Sequence, residues 1–347
     1  VTILASKMGI PENKIIKLDA NENLYGPSPL VFEALQTLDY INIYPDPESR
    51  TLRAALAENY QVPIDNLMAG AGADELIDLL LRVLIEPGDI VFNFTPTFGM
   101  YNFDAILNFA TCINIPRKSD FSLDMAAIRV AVEKYQPKII FICSPNNPDG
   151  SLLSDEEIHY LLSLSALIVL DEAYVEFTQK DLDLGSHRSL IGMVKDRDNL
   201  VVLRTFSKWA GLAGLRVGFG AFPNWLMSLL WKTKQPYNIN VAANTAALAS
   251  LKDRKYLAIN VAKIQAERSR LIEELSRIPQ LTPSTSYSNF VLCKTSGKTA
   301  KEIKDNLASG GIFVRHYETN NLQNFLRISV GRPDDTNALI NQLEKIL

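Results

Sequence analysis

Three short apolar runs in the middle of the chain limit its possible folds more than any other feature. They read KIIFICS, ALIVLDEA and NLVVLRTF, and each is a continuous run of β-branched and other apolar residues. Continuous runs of this length are typical of strands that are covered on both faces. Helical patterns such as LDMAAIRVAVEKY and SDEEIHYLLSL precede and separate these runs. The alternation predicts a mostly parallel sheet flanked by helices, with right-handed crossovers.

The predicted class is therefore α/β, with two domains. A large domain is expected over residues 44–240, and a smaller α+β domain over residues 241–347. The smaller domain should contain a long linking helix, the strands NFVLCK, IFVRHY and NFLRISVG, the helix AKEIKDNLASGG, and a terminal helix from Asp334. Residues 1–43 are expected to form an N-terminal arm that belongs to the smaller domain, loop-rich over 1–30. Ser154 followed by Glu157 predicts a capping box at a helix start.

Polar residues stand at or just after the ends of the three apolar runs. Asn147 follows the first, Asp171 ends the second, and Lys208 follows the third. A single lysine after a strand is more often an ordinary loop residue. However, ligands of open α/β sheets bind beyond the carboxyl ends of the strands, so these three side chains are expected to meet one ligand.

Two stretches carry the features of a phosphate site. Around Lys208, the glycines of WAGLAGLRVG allow close approach of the backbone, and Thr205, Ser207 and Arg216 add two hydroxyls and a guanidinium. In NLMAGAGADELIDLLL, a glycine-rich turn leads into a helix at Ala73 and Asp74, whose backbone N–H groups would point at an anion. Such turns are common, and only the combination of both stretches favours a phosphate.

The chain resembles the fold-type I pyridoxal-phosphate aminotransferases, and among them most closely the histidinol-phosphate aminotransferases. The resemblance rests on seven motifs in the same order, spread over nearly the whole chain. They are NENLYGPSP, YPDP, GAGADE, PTFGMY, SPNNPDG, DEAYVEF and TFSKWAGLAGLRVG. Two positions depart from the commoner pattern: Leu24 stands where many relatives have proline, and Asp149 replaces the threonine of a PTG loop.

The resemblance implies pyridoxal 5′-phosphate as cofactor. Lys208 is then expected to bind the cofactor covalently and to move the α-proton of the substrate as general acid and base. Asp171 would keep the pyridine nitrogen protonated, Tyr174 and Asn147 would hydrogen-bond the phenolic oxygen, and Phe98 would lie against the ring. The remaining cofactor-binding residues implied by the resemblance are Ala73, Asp74, Thr205, Ser207 and Arg216.

Tyr44 bears on the expected assembly. Taken alone, a tyrosine between two structure-breaking elements is more often a packing residue. The resemblance implies instead that Tyr44 reaches the cofactor phosphate of the neighbouring subunit. The expected active unit is then a homodimer with shared active sites.

Four residues are implied in substrate binding. Asn23 and Tyr25 would form part of a lid, Arg315 would bind a substrate phosphate, and Arg327 would bind a carboxylate through its two-pronged guanidinium. Arg327 lies inside an otherwise apolar strand, where an unpaired charge is costly. The alternative for Arg327 is therefore an internal salt bridge with a carboxylate of the chain.

Composition excludes several other classes of protein. A net charge of −4 with scattered basic residues gives no basic patch for nucleic acid or anionic membrane. Three widely spaced cysteines favour free thiols in a reducing compartment, so a cytoplasmic location is expected. The three histidines show no metal-ligand spacing, and no metal is expected. No apolar run approaches the ~20 residues of a membrane span.

The expected reaction is amino transfer between L-histidinol phosphate and 2-oxoglutarate, which yields imidazole-acetol phosphate and glutamate in histidine biosynthesis. Three alternatives stay open. An aromatic-amino-acid aminotransferase would use the same residues, and a threonine-phosphate decarboxylase would release carbon dioxide instead. A non-catalytic binding protein on this fold would be expected to have lost Lys208 or Asp171, and both are present.

Overall fold

The structure, a computed structural model, describes residues 2–319 and 321–347 and contains two separate β-sheets. The strands are β1 (Ile16–Leu18), β2 (Leu67–Gly70), β3 (Ile90–Thr95), β4 (Thr111–Pro116), β5 (Ile139–Cys143), β6 (Leu167–Asp171), β7 (Leu200–Thr205), β8 (Gly218–Ala221), β9 (Leu281–Pro283), β10 (Phe290–Thr295), β11 (Ile312–His316) and β12 (Phe325–Ser329). The helices are α1 (Thr2–Met8), α2 (Pro29–Gln36), α3 (Arg50–Tyr60), α4 (Ala73–Leu84), α5 (Met100–Leu107), α6 (Met125–Tyr135), α7 (Asp155–Leu162), α8 (Asn224–Thr233), α9 (Val241–Lys252), α10 (Arg254–Ser276), α11 (Ala300–Ser309) and α12 (Pro333–Ile346).

The larger sheet has seven strands in the order β2-β8-β7-β6-β5-β3-β4. All neighbours pair in parallel except β8, which runs antiparallel to both β2 and β7. Every residue of β5, β6 and β7 is buried, as expected for strands covered on both faces. Helix α4 packs on β2, β7 and β8, and α5 packs on β3 and β4. The prediction of a mostly parallel sheet flanked by helices is confirmed.

Local signals place several helix starts correctly. Ser154 accepts a hydrogen bond from the Glu157 N–H while the Glu157 carboxylate accepts one from the Ser154 N–H, so the predicted capping box at α7 is confirmed. The predicted helices and strands at the carboxyl-terminal end of the chain are present as α11, β11, β12 and α12. None of the helices in the described ranges is long and apolar enough to cross a membrane.

The smaller sheet has five strands in the order β1-β11-β12-β10-β9. Strand β1 pairs in parallel with β11, with Ile16 opposite Ile312, and the other neighbours are antiparallel. The prediction of a loop-rich stretch over residues 1–30 is wrong in part, since α1, β1 and the start of α2 lie there. Strand β1 is three residues long, and its pairing partner is supplied by the far end of the chain.

Helix α10 contacts the smaller sheet and also the segment that follows β6 of the larger sheet. It packs on β9, β10 and α12. On its other side, Gln179 donates to the Ala258 carbonyl at 2.8 Å, and Gln265 donates to the Phe177 carbonyl at 3.0 Å. Residues 177 and 179 lie just beyond β6 of the larger sheet, so α10 connects the two sheets. The division at 43 and 240 stays a prediction.

Candidate active site

The carboxyl ends of β5, β6 and β7 open on one small cavity of about 130 Å³, here called the inner cavity. These strands are neighbours and run parallel, so Asn147, Asp171 and Lys208 reach the same edge of the sheet. All three line the inner cavity. The other predicted cofactor-binding residues of this chain that line it are Ala73, Asp74, Phe98, Tyr174, Thr205, Ser207 and Arg216.

Lys208 brings an amine into the inner cavity, and among the described residues no carboxylate forms a salt bridge with it. Its Nζ donates to the Ala20 carbonyl oxygen at 3.3 Å. Burial, and after it the nearby guanidinium of Arg327, together lower the pKa of Lys208 to about 8. An amine with such a pKa is partly neutral near pH 7 and can accept a proton.

Asp171 is a buried carboxylate that lines the same cavity. Its Oδ1 accepts a hydrogen bond from the Ala173 N–H at 2.9 Å, and its Oδ2 accepts one from the Tyr101 hydroxyl at 2.5 Å. Burial raises the pKa of Asp171 to about 6, and the bond from Tyr101 opposes that rise. Close to neutral pH the group is therefore largely ionised and can accept from a protonated ring nitrogen.

The start of α4 supplies an anion-binding end to the inner cavity. The helix begins at Ala73 with no side chain capping its first N–H groups. Arg216 contacts Asp74 Oδ2 through Nη2 at 2.6 Å and reaches Ser207 Oγ through Nη1 at 3.5 Å. The Thr205 hydroxyl donates to Ser207 Oγ at 2.9 Å. Free N–H groups, hydroxyls and a guanidinium together suit a phosphate.

Two glycines allow these groups to come together. A Cβ on Gly218 would lie 2.7 Å from the Ala73 nitrogen. Gly72, which precedes α4, has φ of +83°, and a Cβ there would lie 2.6 Å from Arg216 Nη2. Side chains at either position would push the strand or the guanidinium away from the start of α4.

Asn147 and Tyr174 are each held by a residue from another part of the chain. The Asn147 Oδ1 accepts a hydrogen bond from Arg327 Nη1 at 2.7 Å, so its Nδ2 group is available to donate into the cavity. The Tyr174 hydroxyl accepts from Asn21 Nδ2 at 3.1 Å, which leaves its own proton available. Burial raises the pKa of Tyr174, so the hydroxyl stays a donor.

A larger, open cavity of about 1070 Å³, here called the outer cavity, adjoins the inner one and shares Phe98 and Asn147 with it. Arg315 and Arg327 both line it, from opposite positions of the β11–β12 pair. Their guanidinium carbons lie 5.5 and 5.9 Å from the centre of the Tyr317 ring. Two cations on one wall predict an anionic ligand.

Arg327 is buried yet lacks an ion pair. Its guanidinium donates to Asn147 Oδ1 and to the Asp19 carbonyl at 2.6 Å, and its Nε has no partner. Among the residues that the structure describes, no carboxylate forms a salt bridge with it. The structure therefore gives no support to an internal salt bridge for Arg327.

The two predicted lid residues have other contacts in this structure. Asn23 donates to the Trp209 carbonyl at 3.0 Å, and its Oδ1 accepts from the Tyr25 N–H. The Tyr25 ring lies near the cations of Lys263 and Arg332. Neither residue lines the inner or the outer cavity as the described part of the chain forms them.

Tyr44 lies on the surface, away from both cavities of its own chain. Its side chain is 78% exposed, and its ring stacks on that of Tyr237 with centroids 4.6 Å apart. Tyr237 and the neighbouring Ile41 and Ile43 are also exposed. The predicted contact of Tyr44 with another subunit stays a prediction.

Sequence reasoning missed several residues that touch the site, among them Tyr101 and Asn21. Tyr101 lies in the PTFGMY motif, three residues after Phe98, and reads as an ordinary core aromatic. Asn21 lies in the DANEN stretch beside the predicted lid and binds Tyr174. The position of Tyr101 within a quoted motif is a signal that could have been used, whereas Asn21 is placed by hydrogen bonds with Ser329 and Asn289, which lie far along the chain.

Comparisons with known proteins agree with this arrangement. The family model for "Aminotransferase class I and II" matches residues 13–343. A curated relative from Nicotiana plumbaginifolia, named histidinol-phosphate aminotransferase, chloroplastic, is 52% identical over 99% of this chain and 81% of its own length. A histidinol-phosphate aminotransferase from Roseiflexus castenholzii is 44% identical over 99% of this chain and 92% of its own. The solved structure of histidinol-phosphate aminotransferase from Sinorhizobium meliloti, in complex with pyridoxal-5′-phosphate, superposes with a TM-score of 0.90 at 27% identity, covering 100% of this chain and 95% of that one.

Proposed function

This chain belongs to the class I and II aminotransferases, and we propose that it transfers an amino group between L-histidinol phosphate and 2-oxoglutarate with pyridoxal 5′-phosphate as cofactor. The products are imidazole-acetol phosphate and glutamate, and the reaction belongs to histidine biosynthesis. The observation that carries the substrate is the pair Arg315 and Arg327 on one wall of the outer cavity. One substrate carries a phosphate and the other carries carboxylates, so both need cations at this wall.

The residues of the inner cavity fit the cofactor. The partly buried amine of Lys208, which forms no salt bridge with a carboxylate of the described residues, lines the same cavity as the buried carboxylate of Asp171. The uncapped start of α4 and Arg216 suit the phosphate, and Phe98 offers a flat apolar face. When bound, pyridoxal phosphate supplies an electron-withdrawing ring that stabilises negative charge at the substrate α-carbon.

Each end of the inner cavity has a binding task in this proposal. The backbone N–H groups of Ala73 and Asp74 and the side chains of Thr205, Ser207 and Arg216 hold the phosphate. Asp171 would accept a hydrogen bond from the protonated ring nitrogen, and its negative charge would keep that nitrogen protonated. Asn147 Nδ2 and the Tyr174 hydroxyl donate to the phenolic oxygen, and Phe98 packs on the ring and excludes water.

Lys208 moves the proton in this proposal. Its Nζ would take the proton from the α-carbon of the substrate as general base and would deliver it to the C4′ carbon of the cofactor as general acid. The lowered pKa of about 8 leaves a useful neutral fraction near neutral pH. The Ala20 carbonyl, which accepts from Nζ at 3.3 Å, limits where the amine can lie.

The outer cavity binds the two substrates in turn. Arg327 exchanges its bonds to Asn147 and Asp19 for a carboxylate of glutamate, and Arg315 binds the phosphate of histidinol phosphate. Asn23 and Tyr25 form part of a lid over the bound substrate, which requires that they leave the contacts they make in this structure. The half-buried ring of Tyr317, which lines the outer cavity near both guanidiniums, gives the aromatic ring of a substrate a surface to pack on.

We also propose a homodimer and a cytoplasmic location. The exposed Tyr44–Tyr237 stack, with Ile41 and Ile43 beside it, is an apolar surface that a second copy would cover. Tyr44 would then reach the neighbour's phosphate site. The three cysteines are free, which suits a reducing compartment. Sedimentation of the purified protein tests the dimer, and localisation of the protein in its own cells decides between the cytoplasm and an organelle such as the chloroplast of the plant relatives.

The decisive experiment mixes the purified, cofactor-loaded protein with L-histidinol phosphate alone. We expect the yellow absorption to bleach and to return when 2-oxoglutarate is added. In Lys208→Ala the cofactor should still bind, but without this response. Bleaching by phenylalanine or tyrosine and not by histidinol phosphate would keep the reaction class and overturn the substrate. Release of carbon dioxide from phosphothreonine would indicate a decarboxylase, and no response to any amine would overturn catalysis.

A further inference from the structure

Tyr101 has no place in the proposed function so far, yet it touches the carboxylate on which the cofactor depends. It is fully buried in the first turn of α5, and its hydroxyl donates to Asp171 Oδ2 at 2.5 Å. The ring is fixed on two sides: it stacks on Phe141 with centroids 5.1 Å apart and meets the edge of Phe98 at 5.5 Å. A rigid ring therefore presents its hydroxyl to one carboxylate oxygen.

We propose that Tyr101 is a positioning residue for Asp171, fixing the carboxylate in orientation and keeping it ionised for the ring nitrogen of the cofactor. The inference rests on the proposed use of pyridoxal phosphate. Asp171 Oδ1 is already held by the Ala173 N–H, and Tyr101 holds Oδ2, so both oxygens are fixed before any ligand arrives. Preorganised groups of this kind lose little freedom when the ligand binds.

The surroundings of Asp171 make this hydrogen bond matter. Desolvation disfavours the charged form of a buried carboxylate, and a donor that contacts it restores part of that loss. The titratable groups that face Asp171 from the elements packed around it are Asp74 of α4, Tyr101 of α5, Cys143 of β5, Tyr174 after β6 and Lys208 after β7. Cys143 directs its Sγ to the Pro145 carbonyl at 3.2 Å. Tyr101 is thus the neutral side chain that donates to Asp171.

The sign of the effect follows from this geometry. Without the hydroxyl, Asp171 needs a higher pH to ionise, because burial is no longer opposed. The ring nitrogen would then keep its proton less well at neutral pH. A Tyr101→Phe variant keeps the stacking on Phe141 and loses only the donor, so its deficit should be large at low pH and should shrink as pH rises.

The test compares wild type, Tyr101→Phe and a control, Tyr135→Phe. Tyr135 of α6 is likewise a tyrosine edge-on to a phenylalanine, Phe92, but it lies on the surface away from the inner cavity. We expect Tyr101→Phe to bind pyridoxal phosphate about tenfold more weakly. The pH at which the absorption of the bound cofactor changes should shift upward by about one unit, because Asp171 then ionises at a higher pH. Tyr135→Phe should match wild type in both.

A double variant separates positioning from packing. In an Asp171→Asn background, adding Tyr101→Phe should produce no further shift, since the acceptor charge is already gone. If Tyr101→Phe lowers the melting temperature but leaves the cofactor titration unchanged, Tyr101 is only a packing residue and the inference is wrong. Incorporation of a fluorotyrosine at Tyr101, a stronger donor, should shift the titration in the opposite direction and serves if Tyr101→Phe folds poorly.

The outcomes also separate this inference from the proposed function. If wild type itself binds no pyridoxal phosphate, the proposed function fails. If wild type binds the cofactor and Tyr101→Phe titrates identically, the proposed function stands and only the role of Tyr101 is lost.

Discussion

Two buried arginines on the two sheets of this protein have opposite surroundings. Arg204 of β7 is fully buried and pairs with Glu176 at 2.6 Å and with Glu172 at 3.6 Å. Arg327 of β12 is also buried, but its partners are an amide oxygen and a backbone carbonyl. Both have an Nε without a partner. Only Arg204 has its countercharge within the described chain.

This difference separates a structural charge from one kept for a ligand. Burying a charge is costly unless an opposite charge and hydrogen bonds compensate it. The pKa of Arg204, which burial alone would lower, is raised because Glu176 and Glu172 stabilise its charge. Arg327 opens on a cavity and keeps neutral partners that a carboxylate can replace. We therefore expect Arg204 variants to affect folding and Arg327 variants to affect substrate binding.

The largest expected effect is that of Arg327→Ala. Its kcat/KM with glutamate should fall about a thousandfold, because a desolvated partner of the carboxylate is lost. The melting temperature should stay close to that of wild type, since no internal ion pair is broken. Arg277→Ala, which removes an exposed arginine directly after α10, is the control. Unchanged glutamate kinetics together with a large loss of stability would show that Arg327, like Arg204, is a structural charge.

Arg204→Met should have the opposite signature. Removing one member of a buried ion network leaves Glu176 and Glu172 uncompensated, and we expect about 3 to 5 kcal/mol of lost stability in urea unfolding. The folded fraction should keep normal kinetics. Adding Glu176→Leu should restore part of the stability, because the stranded carboxylate is removed. A stable Arg204→Met with reduced turnover would contradict the comparison.

The stability of the fold should depend on pH through the buried Glu172. Burial raises the pKa of Glu172 to about 7, against the pull of Arg204. The unfolded chain ionises this group at a lower pH, so between about pH 5 and pH 8 ionisation favours unfolding. Wild type should lose about 2 to 3 kcal/mol of stability across this range relative to Glu172→Gln. Parallel pH profiles for the two proteins would show that Glu172 is ionised throughout.

The smallest effect is expected at Arg315. This residue is exposed and lies opposite Arg327 on β11, where solvent weakens its charge. Arg315→Ala should raise KM for histidinol phosphate about tenfold and leave KM for glutamate nearly unchanged. Steady-state kinetics with both donors measures the split. An equal loss with both would mean that the two arginines bind the same group.

Local patterns predicted most of the architecture but not the contacts between distant segments. The runs of β5, β6 and β7 are recognisable because burial on both faces imposes a continuous apolar pattern. Strand β1 has three residues with a lysine in the middle, so no local pattern marks it, and it exists because β11 offers a free edge. The bond of Tyr101 to Asp171 was missed for the same reason, since packing of α5 on the sheet brings them together.

The residues that follow β1 make the activity depend on how much of the chain has been synthesised. Asp19, Ala20 and Asn21 contact, in turn, Arg327, Lys208 and Tyr174. These residues directly follow β1, which pairs with β11, and Asn21 also bonds to Ser329 of β12 and to Asn289, so the groups around them leave the ribosome late. Because domains fold as the chain emerges, the larger sheet can form while these residues still lack their support. A growing chain would thus acquire its catalytic geometry only at the end of translation, and a truncated product lacking β11 would be inert.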